Sequence, residues 1–309
     1  MVAFSARVYN FQGYMECNST VIERLMAEEE YLPGLICIVI ATILMFRLMR
    51  YAKFYGPSYF FWMGIILIIA GVISLFHPLK FLFIFDRMMA LLVVIGGALM
   101  AMVSLLSPIR IQHSSSHHQK LDWVLPDFTL NEFHEVRINA TPEKVKQILQ
   151  VTGVKDIPVA RLLMRIRGIA NEEVDLSERA SKNLMDSDTI STPDFNFFVV
   201  APDEWITIMI LKSVNITNNT RIPAPPEIST LEQFRAFHEP GYVKVAVNFR
   251  FIRTDKNETI LTTETRNRGI TPKDNRDFGF YWKIIYPGSA MIRRVWLDTI
   301  KRKAEIISY

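Results

Sequence analysis

Cysteine is almost missing from this chain of 309 residues: Cys17 and Cys37 are the only two. That excludes a disulfide framework and a paired Cys-x-x-Cys metal site. The chain also has no P-loop, no Gly-x-Gly-x-x-Gly and no Gly-x-Ser-x-Gly. Its His-Glu pairs, His134-Glu135 and His238-Glu239, do not continue to the second histidine that a zinc protease needs. No catalytic residue, cofactor or metal site is therefore assigned. The N-terminus lacks the charged start and apolar stretch of a cleavable signal peptide. Charge of one sign is not in great excess either. The net +4 is accounted for by basic residues flanking apolar segments, which excludes nucleic acid as the expected partner.

Long apolar runs are absent after residue 107, but three occur before it, at residues 35–48, 59–76 and 88–106. Each is long enough, or nearly so, to cross a hydrocarbon core of about 30 Å as a helix. Their interiors hold no ionisable side chain; the polar groups are Thr42, Ser74 and Ser104. A conduction path normally places charges at mid-bilayer, so an anchor is the better reading. Gly96, Gly97, Ala98 and Ala101 give the third run a small-residue face suited to close helix packing and to a homo-oligomer through the membrane helices. The first connection, residues 47–57, carries Arg47, Arg50 and Lys53 and no acid, and the second, residues 77–87, carries Lys80 and Arg87 beside Asp86. Positive residues accumulate on the cytoplasmic side, which predicts a multi-pass cell-membrane protein with its soluble domain in the cytoplasm. Asn-x-Ser/Thr sequons at Asn18, Asn139, Asn215, Asn218 and Asn257 pull the other way. The expected division is an extramembrane segment 1–32, a three-helix region 33–107, a linker 108–126 and a domain 127–309.

The linker contains three consecutive serines and a histidine cluster, His113, His117 and His118, read as solvated chain rather than a metal site. Beyond it, residues 131–139 read as a strand in which Phe133, Val136 and Ile138 alternate imperfectly. Thr141-Pro142-Glu143 then opens a helix with a capping threonine, proline at the first position and an acid in the first turn. A second helix is expected near 157–166. Residues 195–200 and 205–211 form a hairpin around Ala201-Pro202-Asp203-Glu204, and Thr230-x-x-Gln233 caps a short helix. In the next strand, 242–253, Val243, Val245, Val247, Phe249 and Phe251 share one face, with Lys244, Asn248 and Arg250 on a solvated one. Strand 258–268 follows, then a helix from about 275 to 307 with a kink expected at Pro287-Gly288. Arg294, Asp298 and Arg302 mark its outer face.

This order of elements resembles the helix-grip fold of the START/Bet v 1-like superfamily, the polyketide cyclase and lipid-transport group. The residues that carry the resemblance are Ala140-Thr-Pro-Glu143-x-Val145, Asp156-Ile-Pro-Val159, Leu163-Met-Arg-Ile-Arg-Gly168, Thr262-Thr-Glu-Thr-Arg266, and Tyr281-Trp282 with Pro287-Gly-Ser-x-x-Ile-Arg-Arg294. It covers roughly residues 128–307 and implies an α+β domain, a curved antiparallel sheet around the C-terminal helix with an apolar cavity between. The cavity would be lined by Val245, Val247, Phe249, Phe251, Phe278, Trp282, Ile285, Ile292 and Trp296; the same side chains would also serve as a solid core. The resemblance implies binding of a hydrophobic or lipid-like small molecule beside the membrane. Its alternatives are a cyclase- or hydrolase-type enzyme using the same cavity, and a non-catalytic scaffold or sensor. Glu264 and Arg266 form either an ordinary ion pair or a ligand-orienting pair. Lys301-Arg302-Lys303 complements the helix dipole or meets anionic headgroups.

Overall fold

A computed structural model describes residues 36, 39–47, 55–114, 119–153, 157, 158, 162, 190, 191, 196–213, 225–255 and 257–306. The chain divides into two compact units, residues 1–50 with 60–104, and residues 51–59 with 105–309.

Among the described residues two helices, α1 (Gly56–Phe76) and α2 (Arg87–Leu106), are long and apolar enough to cross a membrane. This differs from the three runs expected. The first run is helical at residues 36 and 39–47, and its remainder lies outside the described residues. Asp86 caps α2, accepting from the Met89 amide at 2.8 Å. Within the first unit, a Cβ on Gly64 would lie 2.6 Å from the Gly97 carbonyl, and one on Gly97 would lie 2.7 Å from the Gly64 carbonyl. Only hydrogen side chains permit that approach, so the small-residue face of α2 is spent on α1 at Gly97 and Ala101. Gly96 faces open space.

The second unit is built on a five-stranded antiparallel sheet in the order β3-β9-β8-β7-β6. Its strands are β3 (Leu130–Ile138), β6 (Val199–Val200), β7 (Glu204–Lys212), β8 (Tyr242–Asp255) and β9 (Glu258–Gly269). Short pairs accompany it: β1 (Gln112–His113) with β2 (Asp127–Phe128), and β4 (Ile190–Ser191) with β5 (Asn196–Phe197). The β6–β7 and β8–β9 hairpins fall where the alternation placed them. Ala201 closes the first by donating to the Glu204 carbonyl at 2.9 Å. Helix α3 (Leu121–Val124) precedes the sheet; α4 (Pro142–Val151) and α5 (Leu231–Ala236) lie between strands, and α6 (Pro272–Ile306) ends the chain. Thr141 caps α4 through the Lys144 amide, and Thr230 with Gln233 forms a full capping box on α5. An antiparallel sheet with one long C-terminal helix is the layout the resemblance implies.

Helix α6 continues through Pro287, as one helix from Pro272 to Ile306. Proline offers no N–H to the carbonyl four residues earlier, that of Lys283. The buried hydroxyl of Ser58 donates to that carbonyl instead, at 2.5 Å. The Lys283 ammonium reaches the carbonyls of Leu105 and Ser107, each at 2.9 Å, and the Tyr55 and Tyr286 rings pack with centroids 5.0 Å apart. Residues 55, 58, 105 and 107 are thus fastened to one stretch of α6. Burial pushes the Lys283 ammonium below, and the Tyr55 phenol up to about 12 from, their ordinary values.

One face of the sheet, here the inner face, packs on α4 and α6 around Val243, Val245, Val247, Phe249, Phe251, Leu261 and Trp296. The other packs on α3 and α5 around Ile206, Ile208, Ile210, Ala246, Phe234 and Leu121. This corrects two expectations. The β8 face carrying Lys244, Asn248 and Arg250 is covered, with Asn248 only 1% exposed. The stretch expected as a solvated linker does the covering, since Leu121, Val124 and Leu125 are buried against the sheet. His113 lies in β1 and bonds Asp127 at 2.6 Å; His117 and His118 lie outside the described residues. Of the helix expected near 157–166, residues 158 and 162 are helical and the buried Ile157 precedes them, while residues 159–161 and 163–166, with the resemblance residues 156, 159 and 163–168, lie outside the described residues.

Candidate functional site

The interior between the sheet and α6 gathers the residues expected to line a cavity. Val245, Val247, Phe249, Phe251, Phe278, Trp282 and Trp296 are buried there, with Ile285 and Ile292 half-buried at its edge. Phe249 meets Trp296 edge-on at 5.2 Å, Phe278 stacks on Trp282 at 5.9 Å, and the Trp296 indole donates to the Thr152 carbonyl at 2.9 Å. These contacts turn separate apolar stripes into one cluster.

Along this apolar wall runs a polar seam. On β3 the inward positions are Leu130, Glu132, His134, Val136 and Ile138, all buried. Glu132 takes the His134 ring nitrogen on one oxygen and the Ser289 hydroxyl on the other, both at 2.9 Å. Opposite, Thr265 accepts from the Arg293 guanidinium at 2.9 Å, and that guanidinium lies over the Phe249 and Trp296 rings at 5.9 and 5.8 Å. Burial lowers the Arg293 pKa, with Glu132 opposing the shift, and burial together with Glu132 raises that of the Tyr286 phenol. Asn267 continues the seam; its buried side-chain nitrogen has no hydrogen-bond partner among the described residues. The Ser289 hydroxyl points at the carboxylate rather than the imidazole, so the trio does not form the serine–histidine relay of a hydrolase.

Two open clefts formed by described residues lie elsewhere. One, of about 500 Å³, is lined by Leu105, Leu106, Ile109, Ile111, Ile270 and Phe280 among others, with Arg268 and Arg276 as its cations. Its wall depends on Gly279: any Cβ there would occupy the space of the Ile109 side chain. The other, of about 360 Å³, opens on the outer face beside α5.

Glu264 and Arg266 lie on that outer face as an ion pair of 2.7 Å along one strand. Arg266 also pairs with Asp122 at 2.8 Å, donates to the Leu125 carbonyl at 3.2 Å and lies over the Phe128 ring at 4.6 Å. Glu204 accepts the Lys120 and Leu121 amides at 2.8 and 3.2 Å and the Asn248 amide at 2.7 Å. These bonds fasten α3 over the sheet. At the end of α6, Lys301 donates to the Arg137 carbonyl and Lys303 to the Thr152 hydroxyl, at 2.8 and 3.2 Å. Among the described residues no group of three or more His, Cys, Asp or Glu is placed to hold a metal ion.

No known family matches the chain, and no curated protein sequence does. Among solved structures it is similar to a hypothetical protein from Helicobacter pylori, at 11% identity and a TM-score of 0.30, over 62% of this chain and 98% of that one. It is also similar to norcoclaurine synthase from Thalictrum flavum, at 13% identity and a TM-score of 0.20, over 63% of this chain and 99% of that one. At these scores neither likeness bears on the site, whose description rests on register and contacts.

Proposed function

We propose that this chain is a membrane-anchored helix-grip protein of the START/Bet v 1-like kind that binds a hydrophobic or lipid-like molecule at the bilayer surface, with its sheet domain on the cytoplasmic side. The observation that carries this reading is the 500 Å³ cleft, whose apolar wall begins at Leu105 and Leu106, the last residues of an apolar helix. A site of that size suits a single acyl chain or small apolar molecule. The aromatic interior, with Glu132, Ser289 and Arg293 along one wall, supplies groups that would orient the polar end of a ligand reaching it. Anchoring keeps the domain near molecules that partition into lipid.

Lipid extraction from the purified full chain, followed by mass spectrometry, tests the proposal. A defined apolar molecule is expected with the wild type. Ile111→Arg, at a cleft position 48% exposed and so tolerant of the change, is expected to lose it. Recovery of nothing specific from the wild type counts against ligand binding.

A second reading, acid–base catalysis in the same interior, is favoured by one observation: Glu132 and His134 are buried and paired. It requires that His134→Gln abolish turnover of a bound molecule while leaving its binding intact.

A further inference from the structure

The smaller cleft, on the outer face, is a concentration of cations of which Arg268 alone also borders the larger cleft. Its lining includes Lys244, Arg268, Arg235 and His238, with Asp127 as the acid. Lys244 and Arg268 stand directly opposite each other on β8 and β9. Like charges in that register repel, so the sheet gains nothing from placing them together. Among the described residues no carboxylate pairs with Lys244, Arg268 or Arg235, while Asp127 is taken by His113 at 2.6 Å. Lys244 gives one hydrogen bond to the Arg235 carbonyl at 2.9 Å and lies over the Phe234 ring at 5.5 Å. Arg235 gives one to the Trp123 carbonyl at 2.8 Å. The Arg268 Nη1 is buried with no hydrogen-bond partner among the described residues. The neighbouring Arg266 shows what this fold does when it means a buried guanidinium to be structural: it supplies Asp122, Glu264 and a carbonyl. Arg268, half-buried, has no such set among the described residues.

We propose that this cleft binds a phosphate group, as a small phosphomonoester or a lipid phosphate. An oxyanion between Lys244 and the Arg268 guanidinium would cancel their repulsion, with Arg235 and His238 at the rim. A guanidinium matches the geometry of phosphate oxygens and an ammonium serves as a point charge beside it. The volume of about 360 Å³ leaves room for a substituent on the phosphate. Arg268 borders both clefts, and inorganic phosphate, which has no apolar part, separates binding here from the apolar-ligand reading.

The test is thermal unfolding of the full chain in detergent as chloride is exchanged for inorganic phosphate at constant ionic strength. Phosphate is expected to raise the midpoint of the wild type saturably, with affinity weakened about tenfold or more by Arg268→Gln. Arg235→Gln, at an exposed rim position, is expected to weaken it by a smaller factor and keeps the test decisive if the change at the half-buried Arg268 prevents folding. A phosphate response no larger than that of chloride, or one equal in wild type and both variants, overturns the proposal. The same titration in phosphatidylcholine discs with and without phosphatidic acid assigns the source. A midpoint raised by phosphatidic acid, lost in Arg268→Gln, identifies a lipid headgroup; a response to free phosphate alone identifies a soluble ligand.

Discussion

On the inner face of the sheet Phe249 meets Trp296 ring to ring; on the outer face Arg266 lies between the carboxylates of Asp122 and Glu264. The two faces belong to the same strands and are both buried, yet they are held by different chemistry. The inner face relies on apolar area, which is nondirectional and tolerates some rearrangement. The outer face adds to its own apolar cluster a set of ions whose desolvation is offset only while every partner stays in place. The inner face is therefore the more tolerant of substitution, and the outer face fixes the segment that follows the apolar helices.

Breaking each face separately sharpens the contrast. Arg266→Met strands two buried carboxylates and should destabilise the full chain by about 3–5 kcal/mol, read by denaturant unfolding. Replacing Asp122, Glu264 and Arg266 together by apolar residues should recover most of that loss. Phe249→Ala on the inner face should cost about 3–4 kcal/mol through the cavity it leaves. Unlike the outer-face loss, it should be partly restored by a small apolar additive that fills the space. Gly279→Ala should cost about 1–3 kcal/mol by displacing Ile109, and should reduce the apolar molecule recovered with the protein.

The smallest effect is one of pH. Burial alone would raise the Asp122 carboxyl, but the Ser114 hydroxyl and the Arg266 guanidinium outweigh it and hold it below the ordinary 3.8. A depressed carboxylate contributes stability above its unfolded value and loses it as pH falls through the lowered folded value. Acid unfolding of Asp122→Asn should therefore show a shallower fall below pH 3.8 than the wild type, from a lower starting stability.

Much of the domain was legible because its signals are local. Thr141, Pro142 and Glu143 start a helix wherever they are placed, and the Val and Phe alternation of 242–253 admits one inward face. The outer face was not legible. Lys244, Asn248 and Arg250 read as a solvated surface, and nothing nearby in sequence says that Leu121, Val124 and Leu125 return to cover them. Their spacing at i, i+3 and i+4 was the available signal. The polar seam left a trace too: alternation in 131–139 looked imperfect because inward positions hold Glu132 and His134, while Phe133 belongs to the other face. An interrupted strand pattern marked buried polar groups, not a weaker strand.

The most direct test of the proposed function is photocrosslinking of the full chain in bilayers carrying a diazirine-labelled acyl lipid, with the labelled peptides mapped. The account predicts label on both walls of the cleft, around Ile109 and Ile111 and around Ile270 and Phe280, and its loss from the second wall in Ile111→Arg. Label confined to the apolar helices 56–76 and 87–106 would contradict it.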